Sequence, residues 1–189
     1  MSWAIWVTGL PGSGKTTLAR GLAEALEARG IRPRVLDLPA AQRALLPAGR
    51  GSEVDQEIVH RALAFAAKLL SEAGVPVIVD ATAPRRSWRE KAREMIPHFA
   101  EVQLLCPPEI CGVRERGVRW SPDADPAART PHSAAPEIVL DYEYSLRPDL
   151  VLHTDIRGPW ATIEELVALA LRLQRMDRAA PLPMERRAP

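Results

Sequence analysis

The sequence predicts an α/β fold, a parallel sheet of about five strands with helices on both faces. Two observations carry that prediction. Short runs rich in Val, Ile, Leu and Trp alternate along the chain with longer stretches whose apolar residues recur at helical spacing. The composition, 47% hydrophobic and 26% charged, is that of an ordinary globular domain, and 189 residues suffice for one such domain.

The elements follow in order. "WAIWVTG" (Trp3–Gly9) reads as the first strand and "LARGLAEALEARG" (Leu18–Gly30) as the helix after it, with Leu18, Leu22, Ala25 and Leu26 as its apolar stripe and Gly30 as its stop. "PRVLDL" (Pro33–Leu38) is the second strand. Residues 53–73 read as a long helix in which Ile58, Leu63, Phe65, Leu69 and Leu70 are spaced for burial, and Gly74 ends it. "VPVIVDA" (Val75–Ala81) is the most strand-like run. A helix over Ser87–Ile96, a strand over Glu101–Cys106, a helix over Glu109–Arg116 and a strand over Asp149–Asp155 continue the alternation. An amphipathic helix over Thr162–Arg178 closes it, with Thr162 as expected N-cap and Glu164 and Glu165 in the first turn. Residues 119–135, rich in Pro, Ala, Asp and Arg without periodicity, are expected to form a mobile loop, part of a lid over about residues 114–135. Residues 1–178 then make a single domain and 179–189 a frayed tail.

A net charge of +1 offers no global field for nucleic acid or an anionic membrane. No apolar run approaches the ~20 residues of a membrane helix, and Trp3–Val7 is too short for a signal peptide. The expectation is a cytoplasmic protein with no membrane partner. Cys106 and Cys111 read as free thiols, and the four histidines show no metal spacing.

Between the first strand and its helix stands "TGLPGSGKTT", which fits the phosphate-binding loop Gly-x-x-x-x-Gly-Lys-Thr in full. Gly9, Gly12 and Gly14 let backbone N–H groups turn toward phosphate oxygens; Pro11, Ser13 and Thr17 complete the cradle. Lys15 supplies a point charge to the β- and γ-phosphates, and the Thr16 hydroxyl is a ligand for Mg²⁺. The expected fold is therefore the three-layer P-loop NTPase fold, with ATP and Mg²⁺ as cofactors.

Several stretches resemble the adenylylsulfate (APS) kinases among P-loop kinases. "WVTGLPGSGKTTLARGLAEAL" is similar to that family's opening. "VIVDATAPRRSWRE" resembles its third strand and following turn, with Pro84, Arg86 and Arg89 at matching places, and "APEIVLD" with "PDLVLHTD" resembles the segment after its lid, which contacts the nucleotide. The departures cluster after strand two. Where the family reads Asp-Gly-Asp, this chain has Asp37, Leu38 and Pro39; the family's arginine place holds Gln42, with Arg43 one residue late. The family's asparagine on the next helix aligns with Val59, and Arg61 still fits. Asp80 stands where many members carry a hydroxyl, and "GLPGSGKTTLAR" with the later "VIVDAT" is also similar to polynucleotide-kinase and zeta-toxin-like P-loop kinases.

Phosphoryl transfer rests on positioning and charge neutralisation, so carboxylates at strand ends and nearby arginines are the candidates. Lys15, Asp80 and Asp37 are the candidate catalytic residues, and Thr16 and Asp80 the metal ligands. The plain alternative for Asp37 is an N-cap before a short helix. Arg43, Arg61, Arg86 and Arg89 are candidate acceptor contacts, guanidinium suiting sulfate or phosphate. Arg114 and Arg119 are candidates to reach the nucleotide from the lid, with Arg116 and Trp120 beside them. Trp3, Trp6 and Trp88 read as packing residues. The expectation is an ATP-dependent kinase of a small-molecule hydroxyl acceptor, for which the arginines would suit an anion. The resemblance implies adenylylsulfate, phosphorylated on its 3′-hydroxyl, and a homodimer. The alternatives are a P-loop kinase of a sugar, cyclitol, nucleoside or polynucleotide 5′ end, or a nucleotide-binding regulator without transfer activity. Near-neutral charge disfavours nucleic acid.

Overall fold

A computed structural model describes residues 1–46, 52–115 and 141–179. Five parallel strands form one sheet: β1 (Ala4–Thr8), β2 (Arg34–Asp37), β3 (Val77–Asp80), β4 (Phe99–Leu105) and β5 (Leu150–His153), in the order β2-β3-β1-β4-β5. The helices are α1 (Lys15–Glu27), α2 (Leu38–Leu45), α3 (Glu53–Glu72), α4 (Arg86–Met95), α5 (Pro108–Glu115) and α6 (Pro159–Ala179). β1 is the central strand and pairs with β3 on one side and β4 on the other, Ala4 standing level with Val77 and Phe99.

Side-chain alternation along β1 divides the core between the two faces. Trp3, Ile5 and Val7 pack under α1 and α6 with Leu22, Leu26, Leu166 and Ala170. Ala4 and Trp6 point the other way, into a cluster with Leu63 and Ala67 of α3 and Ala92 of α4. Both tryptophans are fully buried with their indole N–H satisfied, Trp3 by Gln174 and Trp6 by the Ala81 carbonyl. Trp88 is buried too, against the ring of His60. Cys106 and Cys111 are free, buried thiols that pack with Leu10 beside the loop after β1.

Two expectations are corrected. The last helix begins at Pro159, with proline's fixed φ suited to a first helical position. Thr162 is thus inside the first turn, where its hydroxyl donates back to the Gly158 carbonyl at 3.0 Å instead of capping the helix. On α3, Leu63 is buried and Leu70 half-buried, whereas Ile58, Phe65 and Leu69 are exposed by about half of their surface. The face that meets the sheet is built from smaller and more polar residues: Val59, His60, Leu63, Ala64, Ala67 and Ser71. Among the described residues no helix is long and apolar enough to cross a membrane.

Candidate active site at the carboxyl edge of the sheet

The loop from Gly9 to Gly14 leaves the carboxyl end of β1 and runs into α1, whose first residue is Lys15. Gly14 has φ 98° and Gly12 φ 74°, both in the left-handed region that resists a side chain. Gly12 is also sterically enclosed, since a Cβ there would stand 2.2 Å from the Cys111 carbonyl oxygen on α5. The loop is held from below. Thr154, just past β5, donates its hydroxyl to the Ser13 carbonyl at 2.8 Å, and Arg114 at the end of α5 donates to the Thr154 carbonyl at 2.7 Å.

Lys15 folds back over the loop, its Nζ donating to the carbonyls of Leu10 at 2.9 Å and Gly9 at 3.1 Å. Burial pushes its pKa below the usual lysine value, opposed chiefly by the charge of Asp80. Asp80 ends β3 almost fully buried. Its carboxylate accepts a hydrogen bond from the Thr16 hydroxyl and lies within the field of Lys15, yet burial, with the charge of Asp37, pushes its pKa above the usual carboxylate value. Lys15, Thr16 and Asp80 thus meet at one point. The oxygen pair of Thr16 and Asp80 has the chemistry a hard divalent cation takes. Among the described residues no cluster of three or more His, Cys, Asp or Glu offers a richer metal cage.

Asp37 stands level with Asp80 on the neighbouring strand. Its Oδ1 accepts from the Ala40 N–H at 2.8 Å, so it is the N-cap of α2, with Pro39 in the first turn. Gln42, at the place of the expected arginine, donates to Gln56 of α3 at 2.7 Å. Gln56 Nε2 and Arg86 Nε are buried without a protein partner. Arg43 is exposed on the last turn of α2, and Arg61 is exposed on α3. Arg119, with Arg116 and Trp120, lies outside the described residues. Arg114 is placed under the loop, where it holds Thr154 and reaches Cys106 Sγ at 3.5 Å.

Arg89, expected at an acceptor, is engaged inside the protein instead. Its guanidinium is fully buried, pairs with Glu101 of β4 at 2.6 Å, and donates to the carbonyls of Ala83 and Glu143. It braces the turn after β3, where Ala83 holds φ 41°, against the segment that returns at residues 141–145. That segment supplies residues which the sequence reading did not single out. The Tyr142 hydroxyl lies 3.0 Å from Thr8 Oγ1, and the Tyr142 ring lies under Arg89 at 5.2 Å. Glu143 accepts from the Arg86 N–H, and Arg85 binds Glu53, Asp141 and Glu143 together. Tyr142 and Glu143 meet long-range partners without a motif, so no local signal in the sequence marked them.

The sequence pattern of the family described as adenylylsulphate kinase matches residues 1–120. The chain belongs to the adenylylsulphate kinase family. Within it, a probable adenylyl-sulfate kinase of Archaeoglobus fulgidus is 36% identical over 155 residues, 82% of this chain and 97% of that protein. An adenylyl-sulfate kinase of Rippkaea orientalis is 33% identical over 173 residues, 88% of this chain and 93% of that one. Among solved structures, the APS kinase CysC of Mycobacterium tuberculosis in complex with AMPPNP and APS superposes with a TM-score of 0.70 at 29% identity, covering 89% of this chain and 96% of that one. The five-stranded parallel sheet and its helices are those of the family's P-loop fold.

Proposed function

We propose that this protein is an ATP-dependent kinase that phosphorylates the 3′-hydroxyl of adenylylsulfate to give phosphoadenylylsulfate. The observation that carries the reading is the meeting of Lys15, Thr16 and Asp80 at the carboxyl edge of the sheet in a chain of the adenylylsulphate kinase family. The loop from Gly9 to Thr17 cradles the phosphates through backbone N–H groups and the N-terminal end of α1. Lys15 exchanges its bonds to Gly9 and Leu10 for phosphate oxygens. Thr16 and Asp80 would hold Mg²⁺, which would neutralise charge on the transferring phosphate. Asp80, at the carboxyl end of β3 beside Lys15 and Thr16, also orients the acceptor hydroxyl and takes its proton. Asp37 adds its charge to the field that raises the Asp80 pKa and caps α2. Arg86, with its Nε lacking a partner, is the arginine best placed to receive an anionic group.

A second reading, transfer to a different and less anionic hydroxyl acceptor, is favoured by the Gln42–Gln56 amide pair standing at the expected arginine place. One assay separates the readings: ADP release with adenylylsulfate set against a panel of sugars, cyclitols and nucleosides. Stimulation by adenylylsulfate supports the first, and stimulation only by a neutral acceptor supports the second. No stimulation by any acceptor would leave a nucleotide-binding regulator and sink both.

A further inference from the structure

The two cysteines of the chain meet beside the phosphate loop. Cys106 follows β4 and Cys111 lies near the start of α5, with Pro107 and Pro108 between them. The Cys111 thiol donates to the Cys106 carbonyl at 3.7 Å and bonds the Cys106 sulfur. Arg114 brings its guanidinium to the same sulfur at 3.5 Å. The bond from Cys111, aided by the charge of Arg114, holds the Cys106 thiol down at about 7 against its burial, and the same bond pushes the Cys111 thiol up. Cys106 is 9% exposed and Cys111 is fully buried, so a small solute meets Cys106 first.

Both cysteines are tied to the loop. The Cys111 carbonyl is the atom that closes the space around Gly12. Arg114, on the Cys106 sulfur, also holds Thr154, whose hydroxyl holds the Ser13 carbonyl. Leu10 packs on the pair from the loop side, and Lys15 lies in the field of Cys111.

From this arrangement we infer that Cys106 and Cys111 are a peroxide-sensitive dithiol whose closure to a disulfide distorts the phosphate loop and weakens nucleotide binding. The Cys106 thiolate attacks hydrogen peroxide, its S–O bond forming as the O–O bond breaks. Hydroxide leaves, takes a proton and becomes water, and Cys106 is a sulfenic acid. Cys111 then attacks that sulfur, its proton going to the departing hydroxyl, so that the S–S bond forms, the S–O bond breaks and a second water leaves. The two sulfurs together give the two electrons that reduce the peroxide. An S–S bond of about 2 Å is far shorter than contact between thiols. Pro107 and Pro108 have fixed φ and give the intervening turn little freedom to absorb the change, so α5 shifts where its Cys111 carbonyl bears on Gly12. The inference rests on the loop as a nucleotide site and is independent of which acceptor the kinase uses.

The test takes the full chain, reduced and then treated with hydrogen peroxide, to intact mass spectrometry and to titration calorimetry with ADP. The wild type is expected to lose two hydrogens, to leave no thiol for iodoacetamide under denaturing conditions, and to bind ADP about tenfold more weakly, within the usual span of coupled sites. Dithiothreitol is expected to restore both. Cys111→Ala cannot close the bridge and is expected to carry a sulfenic acid on Cys106, captured by dimedone. By reciprocity, saturating ADP is expected to raise the reduction potential of the pair by about 30 mV, the equivalent of that tenfold change. Thiols that stay free in peroxide overturn the inference. So does a disulfide that leaves the ADP isotherm unchanged, or a Cys111→Ala chain that peroxide leaves unmodified at Cys106. Failure of the reduced wild type to bind ADP sinks the nucleotide reading of the loop itself, and the coupling with it.

Discussion

Asp80 is the residue at which structure and chemistry pull hardest against each other. Its carboxyl is buried at the end of an apolar strand, so its ionised form is disfavoured in the fold. The folded pKa lies above the unfolded one, so the associated cost is absent below the usual carboxylate pKa and grows as pH rises through the folded value. Asp80→Asn is therefore expected to melt at a higher temperature than wild type at pH 7, with the difference shrinking as pH falls toward 4. The same variant is expected to lose about 10²- to 10⁴-fold in turnover, the range of a proton-transfer group, and far less in ATP affinity, which retains the loop and Lys15. Parallel loss of turnover and ATP affinity would transfer the role to Asp37. Gly12 makes the opposite kind of demand, for space. Gly12→Ala drives a methyl into the Cys111 carbonyl from a left-handed backbone, so it is expected to cost roughly 1–3 kcal/mol in urea unfolding. It should also abolish ADP binding by titration calorimetry, and an unchanged ADP isotherm would contradict the enclosure of the loop.

At the level of elements, the turn from β3 into α4 is fixed by one buried ion pair. Replacing Glu101 alone by Leu leaves the Arg89 guanidinium uncompensated in the interior and is expected to cost about 3–5 kcal/mol. Arg89→Met with Glu101→Leu together should recover much of that loss, measured by denaturant unfolding; equal losses in the single and double variants would show that the pairing is incidental. The sequence declares the strands and the loop because their signals are local: β-branched runs, three glycines, a lysine and a threonine at fixed spacing. It conceals Arg89, whose partners Glu101 and Glu143 arrive from distant strands and segments, so a guanidinium destined for the interior looks like any helix arginine. It misleads on α3 for a different reason. Periodicity picks out the largest apolar residues, Ile58, Phe65 and Leu69, but the sheet accepts the helix on Ala64, Ala67 and Val59, where small side chains allow close approach. Pro159 likewise opens α6 before Thr162, the stronger-looking cap. At the site, Lys15 and Thr16 are legible from spacing alone, whereas the meeting of Asp80 with them requires the register of β3 on β1.

For the molecule as a whole, the loop couples nucleotide binding to global stability, because only the assembled fold presents its N–H groups. ADP at a hundred times its dissociation constant is expected to add about 2.7 kcal/mol, and thus about 5–10 °C to the melting temperature of a chain this size. Lys15→Ala should remove most of that shift; a full shift in the variant would refute the part assigned to the amine. The central place of β1 has a kinetic consequence as well. The strand made first finds its neighbours last, since residue 4 aligns with residue 77 on one side and residue 99 on the other. Pairings this far apart in sequence slow the search for the native state. A nascent chain therefore leaves both edges of β1 unpaired until β3 and β4 have been made, although α1 can already cover Trp3 and Ile5. The capacity to capture a nucleotide then appears only as the sheet closes around its oldest strand.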